Sequence, residues 1–410
     1  MIKFPAVPYR KRVSNSPQVL GLPENNGRAP LAIFLYMISL ALVLLWRPNV
    51  DAGFLLTPTY LLLFIAIPLV WFRRRIFLFG FDIALLVFYF FSLLTSSYAP
   101  DPGTSFRFFL GVMVFLGMYV CLKLSMFNIQ LDLALSAFGK VGKYYFSFAL
   151  LFYLAGFLHY GSWQEHHLYY GLMVERTLPR LVAFGFDPNM SAMTLIPFIF
   201  YFMLGKRSYL WLSLGLFLLF ATMSRGAILS MTFGLIGLAV FRPTKAVIRT
   251  VFITLISVVL GFALLIFSDV LPMSYLVQRM AGFFSGSGRA EIWSNALEMF
   301  SLQPIIGWGG FSFRDINQFY YDDSRFAHNT YIEILVENGI IGFLVFVACV
   351  VLMLRHSYRM SSDARLLFVM PAIFSFSISM CFLSVYINQI FVFYLTLLNF
   401  RWARKVHGHG

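Results

Sequence analysis

The chain has 410 residues, of which 60% are hydrophobic and only 12% are charged, and its formal net charge is +14. This composition excludes a soluble globular domain, in which about a quarter of the residues are charged. The basic residues are scattered between apolar runs instead of forming a stripe with stacking aromatics, which argues against nucleic acid as a partner. We therefore predict a protein that lies in a membrane, with membrane lipids as its surroundings.

The N-terminal segment, residues 1–30, is polar and basic. It carries five lysines and arginines before the first apolar run and has no small-residue cleavage pattern. We interpret it as a cytoplasmic tail rather than a cleavable signal peptide. The three cysteines all fall within apolar runs, so their pattern predicts neither a disulfide framework nor a zinc site.

Apolar runs follow one another from residue 31 to residue 400. Each approaches or reaches the roughly 20 residues with which a helix crosses a bilayer, and none alternates as the strands of an outer-membrane barrel do. We predict an all-α polytopic membrane protein with about 12 transmembrane helices over residues 31–400, and a second cytoplasmic tail at 401–410. The spans are predicted at residues 31–46, 53–72, 76–95, 108–122, 144–160, 181–204, 209–223, 227–241, 250–268, 329–354, 366–383 and 385–400.

The distribution of positive charge supports this topology. With a cytoplasmic N-terminus, twelve spans return the C-terminus to the cytoplasm, and the cytoplasmic segments then hold 22 of the 31 lysines and arginines, including all eight lysines. An arginine pairs bidentately with phosphate whereas a lysine is a point charge, so an outer face with arginine alone favours anion recognition there. The nine outer cations are Arg47, Arg107, Arg176, Arg180, Arg225, Arg279, Arg289, Arg314 and Arg325.

Two outer segments, 161–180 and 269–327, are long enough to build a site. The second lies between predicted spans 9 and 10. It contains an amphipathic pattern that predicts a helix from Arg289 to Ser301. A helix with one apolar face is typical of the membrane interface.

His328 is the strongest candidate for proton transfer. It ends the second outer segment where an apolar helix begins, and an imidazole can accept a proton near neutral pH. The alternative is a histidine that merely anchors the helix at the interface. Glu333 and Glu337 follow at helical spacing, and a polar face of this kind is expected to turn toward protein or water.

Three arginines are candidate ligands of a lipid phosphate. Arg225 lies in a very short connection between two apolar runs, where a charge is costly, and snorkelling to the interface is its alternative role. Arg289 begins the predicted interfacial helix, whose first amides also attract an anion, and a solvated arginine is the alternative. Arg180 precedes a polar interruption at 184–189, which membranes tolerate where it lines protein or a cavity.

Other polar residues have weaker claims. Arg176 is expected to pair with Glu175 or Asp187, and the adjacent His166 and His167 are interpreted as a solvated loop. No metal-ligand cluster or phosphate-cradling glycine loop is found in the outer segments, which predicts chemistry without a metal or another cofactor. Residues that could guide a substrate are Arg279, Arg176, Arg325, Asn329 and Tyr331.

The spacing of residues between about 180 and 342 is specific. His328-Asn329 is followed by nine residues and then by Gly339-Ile340-Ile341-Gly342. This pattern resembles the signature of the O-antigen ligase and O-antigen polymerase superfamily, and it favours the ligase. The motifs that support the resemblance upstream are Ser224-Arg225-Gly226, Gly288-Arg289 with Trp293, and Pro304 with Gly307 and Gly309.

The resemblance implies a GT-C-type glycosyltransferase of the bacterial inner membrane, with residues 31–400 as its catalytic domain. Such an enzyme moves a glycan from undecaprenyl diphosphate to a sugar hydroxyl of lipid A-core on the periplasmic side, with inversion and without metal or nucleotide sugar. By position, His328 would be the general base, Arg225 and Arg289 would hold the diphosphate, and Arg180 would assist.

Three alternatives remain at this point. A polymerase shares the chemistry but uses another lipid-linked repeat as its acceptor. A solute transporter is a different class, and the absence of an inverted-repeat pattern and the concentration of polar residues in outer loops argue against it. An interaction scaffold is weaker still, because it gives the arginine-only face no purpose.

Overall fold

The computed structural model describes residues 29–45, 50–51, 55–56, 61, 77–126, 129–175, 178–245, 247–252, 254, 256 and 288–400. The predicted tails lie almost wholly outside these residues, as do most of the predicted span 53–72, the end of the predicted span 250–268, and 269–287 of the second outer segment. Arg47, Arg176 and Arg279 lie outside them as well.

Helices make up most of the described chain. They are α1 (Ala29–Leu44), α2 (Gly80–Thr95), α3 (Pro102–Ser125), α4 (Leu131–Gly156), α5 (Pro188–Phe200), α6 (Tyr209–Ala221), α7 (Arg225–Phe241), α8 (Arg289–Leu302), α9 (Phe313–Tyr321), α10 (Thr330–Met360), α11 (Val369–Ser379) and α12 (Gln389–Leu397). Single turns extend some of these, at Ser96–Tyr98 after α2, Phe157–His159 after α4 and Tyr201–Gly205 after α5.

Five helical segments of the described chain are long and apolar enough to cross a membrane. The prediction of a mostly helical, multi-pass membrane protein is therefore confirmed in its coarse form, and the number of twelve spans stays a prediction. The five are Gly80–Tyr98, Pro102–Ser125, Leu131–His159, Pro188–Gly205 and Thr330–Met360, and shorter apolar helices are Ile33–Leu44, Tyr209–Ala221, Arg225–Phe241 and Ala364–Ser379.

Helix α4 begins at Leu131, well before the predicted start of its span at residue 144. Its extra turns pack closely on α5, because a Cβ atom at Gly142 would lie 2.5 Å from the ring of Phe198. The sequence predicts a second interfacial helix from Lys123 to Lys143, and in the structure the residues from Leu131 onward are the first turns of α4.

A small antiparallel sheet forms in the first outer segment. Its strands are β3 (Leu168–Tyr169), β4 (Leu172–Glu175) and β5 (Leu178–Leu181), and a separate pair is β1 (Val50–Asp51) with β2 (Leu55–Leu56). We did not predict this sheet. It matters for the site because it carries Arg180 and Glu175.

The described helices form two apolar cores. The large one lies within the bundle, where α7 packs on α11 and α2 packs on α10. The small one joins α8, α9 and the first half of α10 through residues such as Ile292, Phe313 and Val336. We call α8, α9 and the connection 303–312 the outer subdomain. Helix α8 confirms the prediction of a helix from Arg289 to Ser301.

Helix α10 is interrupted at Gly339, where the backbone is non-helical with φ 59°. The segment 304–309 crosses the helix there, and the N–H of Trp308 donates to the carbonyl of Val336 at 3.1 Å. A Cβ atom at Gly339 would lie 2.4 Å from the backbone of that segment, and one at Gly307 would lie 2.5 Å from the backbone of α10. The glycines of the motif are thus needed for two backbones to touch.

The two ends of the bundle both carry polar side chains. His328 precedes α10, whereas His356 near the end of α10 packs against aromatic rings at the start of α2. At that far end, Lys123 forms an ion pair with Asp82 at 2.5 Å, both side chains being nearly inaccessible. The hydroxyl of Tyr119 donates to Asp82 at 2.5 Å and accepts from the amide of Asn399 at 3.2 Å.

Candidate active site

A cavity of about 510 Å³ opens at the end of the bundle where α5, α7 and α8 begin. Arg180, Arg225 and Arg289 all line it, although they come from β5, α7 and α8. Glu175 is the one carboxylate among the described residues of the lining, so three arginines against one carboxylate leave the wall with two surplus positive charges. The other lining residues are Asn189, Met193, Met223, Ser224, Gly226, Ala227, Leu229, Ala290, Trp293, Ser379, Phe382 and Leu383.

Arg180 is the most firmly held of the three arginines. Its side chain is only 5% exposed, its Nε donates to the carbonyl of Thr222 at 2.9 Å, and its guanidinium forms an ion pair with Glu175. The sequence predicts that Arg176 pairs with Glu175 or Asp187. The sheet instead faces Arg180 toward the end of α6, and Arg176 lies outside the described residues.

Arg225 is presented by a tight turn between α6 and α7. Met223 in this turn has a positive φ of 51°, and Ser224 caps α7 by accepting from the N–H of Ala227 at 3.4 Å. The Ser224 hydroxyl also donates to the side-chain oxygen of Asn189 at 2.8 Å. This cap fixes the first residue of α7, which is Arg225, half-buried at the cavity wall.

Arg289 begins α8 directly after Gly288, which has a positive φ of 63°. Desolvation lowers the pKa of Arg289, and the negative charge of Asp187 acts in the opposite direction. Because an arginine stays protonated in proteins, the lowered pKa reflects the cost of keeping a cation here beside the positive end of a helix dipole. An anion bound in the cavity would reduce that cost.

Asp187 is a site residue that we missed as such. It caps α5, with one carboxylate oxygen accepting from the N–H groups of Asn189 at 2.7 Å and Met190 at 3.1 Å. Its charge acts on both Arg289 and His328. Asp-Pro-Asn is a typical helix start, so the sequence signalled the cap but not its position beside the histidine.

His328 does not line this cavity, but its neighbour in the chain contacts a residue that does. The residue before it, Ala327, accepts a hydrogen bond from the indole of the cavity residue Trp293 at 2.9 Å. Desolvation and the charge of Arg289 lower the pKa of His328, while Asp187 opposes them. The imidazole is therefore mostly neutral at pH 7, which is the form that can accept a proton.

The backbone of His328 is in the left-handed region, with φ 49°. For a residue other than glycine this conformation costs on the order of 1–3 kcal/mol and persists only where the surroundings impose it. Its side chain remains exposed. The structure therefore holds the histidine in a strained position with its ring reachable from outside.

The residues after His328 have partners within the protein. Asn329 caps α10 by accepting from the N–H groups of Tyr331 at 3.1 Å and Ile332 at 3.2 Å. The hydroxyl of Tyr331 donates to the carbonyl of Ser377 at 2.9 Å. Both contacts explain these residues structurally, and their role in guiding a substrate stays a prediction.

Arg325 lies outside the cavity lining. It makes a bidentate ion pair with Asp323 at 2.8 and 2.9 Å, and the pair is on the surface beside Gly288. Arg314 stacks on the ring of Phe326 with 5.9 Å to the ring centre. Neither contact brings these arginines to Arg225 or Arg180.

The two glutamates of α10 are buried and face protein, as their spacing predicted. Glu333 accepts from the hydroxyl of Ser384 at 2.5 Å, and its carboxylate interacts with the backbone N–H groups of Ala327 and His328. Glu337 accepts from the hydroxyl of Tyr386 and from the N–H of Phe313 at 3.2 Å. Both carboxylates therefore hold backbone of neighbouring segments.

The part of the chain that the structure describes holds no cluster of three or more histidine, cysteine, aspartate or glutamate side chains that fits a metal ion. This finding concerns only those residues.

A comparison with protein families identifies the region that contains much of this site. Residues 209–347 match the family described as O-antigen ligase. This region is therefore similar to O-antigen ligases. The resemblance seen in the sequence motifs is thereby confirmed, and the region includes Arg225, Arg289 and His328. No curated protein matches the chain.

The matched region supplies only part of the cavity. Glu175, Arg180 and Asn189 precede it in the sequence, and Ser379, Phe382 and Leu383 follow it. The remaining two thirds of the chain therefore complete the wall of the cavity and balance its charge.

Proposed function

We propose that the protein is an O-antigen ligase-type glycosyltransferase of the bacterial inner membrane, with a GT-C-type fold and its site on the periplasmic side. It moves a glycan from undecaprenyl diphosphate to a sugar hydroxyl of lipid A-core. The observation that carries the proposal is the convergence of Arg180, Arg225 and Arg289 on one cavity, with His328 next to a residue that is bonded to the cavity residue Trp293.

The cavity suits a diphosphate attached to a lipid. Its surplus positive charge lies at the end of an apolar bundle, where the headgroup of a membrane lipid would be. Arg225 and Arg289 stand at helix starts, so backbone N–H groups and the helix dipoles add to the attraction for an anion. Arg180 is already paired with Glu175, so it stabilises the cavity wall more than it binds the substrate.

His328 then acts as the general base. It removes the proton from the acceptor hydroxyl as the oxygen attacks the anomeric carbon, and the bond from that carbon to the diphosphate oxygen breaks. Attack from the face opposite the diphosphate inverts the anomeric carbon. Arg225 and Arg289 offset the charge that develops on the leaving diphosphate, and Asp187 stabilises the imidazolium that forms. These charges need neither a metal nor a cofactor.

A polymerase is the second candidate, because it would use the same donor and the same groups with a different acceptor. The acceptor decides between them. A solute transporter would instead move a substrate without forming a bond.

The decisive experiment is reconstitution of the purified protein in vesicles with a glycan on undecaprenyl diphosphate. Lipid A-core and a second molecule of donor are offered separately as acceptors. Transfer to lipid A-core supports the ligase, whereas chain extension on the donor supports the polymerase. Uptake of solute without either product would contradict both.

A further inference from the structure

We propose that Trp293 and Glu333 are positioning residues that fix His328 relative to Arg289. The inference rests on the proposed function. It extends that function by naming two side chains that keep the base and the diphosphate site at a fixed distance. Neither Trp293 nor Glu333 takes part in the proton transfer itself.

The first contact comes from the helix that carries Arg289. Trp293 lies one turn further along α8, and its indole N–H donates to the carbonyl of Ala327 at 2.9 Å. The start of α8 is thereby bonded to the residue immediately before His328. A shift of α8 would move both the arginine and the histidine, so the distance between them is preserved.

The second contact comes from α10. The carboxylate of Glu333, which is 2% exposed, accepts from the hydroxyl of Ser384 and interacts with the backbone N–H groups of Ala327 and His328. A buried carboxylate in such a polar network is held in one orientation. The peptide before His328 is therefore bonded to Trp293 through its carbonyl, and its N–H groups interact with Glu333.

These contacts explain how His328 keeps its left-handed backbone, with φ 49°. A strained residue relaxes unless its neighbours prevent it, and here a tryptophan and a glutamate from two different helices hold the peptide. Loss of either should let the imidazole move while the cavity arginines stay in place. The expected defect lies in the rate of the chemical step rather than in donor binding, because misplacement of a reacting group by about 1 Å can cost 10²-fold in rate.

The chain offers a matched control for each variant. The indole of Trp308 donates to the carbonyl of Met299 at 2.8 Å within the same outer subdomain, away from His328. Glu337 lies one turn after Glu333 and holds the backbone at Phe313 instead. We expect Trp293→Phe and Glu333→Gln to lower kcat by about tenfold or more with KM for the donor within about twofold, and Trp308→Phe and Glu337→Gln to keep both constants.

Hydrogen–deuterium exchange tests the contacts without an activity assay. The full-length variants are compared with the parent in the same vesicles, and exchange is followed in the peptide that contains residues 327 and 328. Both Trp293→Phe and Glu333→Gln should accelerate exchange there, and neither control variant should. If Glu333→Gln fails to fold, Trp293→Phe alone still decides the question, since phenylalanine keeps an aromatic ring at this position and removes the N–H donor.

The outcomes separate the two proposals. Faster exchange with a lower kcat, seen only in the two test variants, supports the positioning role. Faster exchange without a change in kcat overturns it, and so does an equal loss in the controls or a loss confined to KM. If the parent itself transfers no glycan, the proposed function fails and the catalytic part of this inference fails with it, while the exchange rates still show whether the contacts hold His328.

Discussion

The two polar clusters at opposite ends of the bundle differ in how their charges are balanced. At the far end, Lys123 meets Asp82 one to one, and Tyr119 and Asn399 complete the hydrogen bonds. Around the cavity, three arginines face one carboxylate of the lining, and Asp187 is shared between Arg289 and His328. A balanced buried cluster holds helices together, whereas a cluster with surplus charge has room for a charged ligand.

The largest effect expected at the cavity is that of His328→Ala. Removal of a general base lowers the transfer rate by about 10²–10⁴-fold, while a neutral side chain at this exposed position leaves the fold intact. The initial rate with lipid-linked donor and the elution profile on size exclusion measure the two effects. Transfer at the parental rate by a well-folded variant would remove His328 from the mechanism.

The far cluster should respond in stability and not in chemistry. Lys123→Met leaves the buried charge of Asp82 without its partner, which we expect to cost about 3–5 kcal/mol of unfolding free energy. The double variant Lys123→Met with Asp82→Asn should recover most of it. Denaturation in detergent gives the stability, and the transfer rate per folded molecule should stay near that of the parent. A selective loss of rate would mean that the two ends are not separate in function.

The shape of the arginine side chain should matter at the cavity. Arg225→Lys and Arg289→Lys keep the charge but lose the bidentate fork, so we expect transfer to fall by about 10–100-fold. Arg314→Lys is the matched control, because its guanidinium stacks on Phe326 outside the cavity. Initial rates over a range of donor concentrations check the prediction. Equal rates in all three variants would show that the cavity arginines act only as solvated charges.

The pH dependence of transfer tests how the charges of Arg289 and Asp187 act on His328, and its expected effect is the smallest. The base must be neutral, so kcat/KM falls as the pH drops through the pKa of His328, which desolvation and Arg289 hold below the usual value. Arg289→Gln removes a positive neighbour and should move this acid limb to higher pH. Asp187→Asn removes the group that raises the pKa and should move the limb to lower pH. Shifts in the same direction for both variants would contradict this arrangement of charges.

Local signals in the sequence singled out candidate site residues, and their roles stay predictions. Long apolar runs and the step from a polar loop to an apolar helix are local signals, so the helices and the place of His328 at the start of α10 could be read directly. The charge count gave nine outer arginines, and among them Arg225 stood out for its short connection and Arg289 for its place at a helix start. Their meeting in one cavity followed only from the motif resemblance, because nothing local links residues so far apart.

Contacts across the chain could not be predicted from the sequence alone. The sheet that brings Arg180 to Glu175 consists of strands only two to four residues long, too short for a periodic pattern. The Arg180 side chain reaches Thr222, which is 42 residues away. The contacts of Glu333 with the peptide before His328 depend on the turn that precedes α10, and no spacing rule gives the direction of that turn.

The interruption of α10 at Gly339 also has a mechanical consequence. An unbroken helix transmits a bend along its whole length. Helix α10 is interrupted and hydrogen-bonded to the segment 304–309 that crosses it, so it can bend at the interruption. Bilayers differ in thickness, and a spanning helix adapts by tilting or kinking. The inner half of α10 can thus follow the membrane while its outer half, joined to α8 and α9, keeps the base and the arginines at a constant distance in membranes of different thickness.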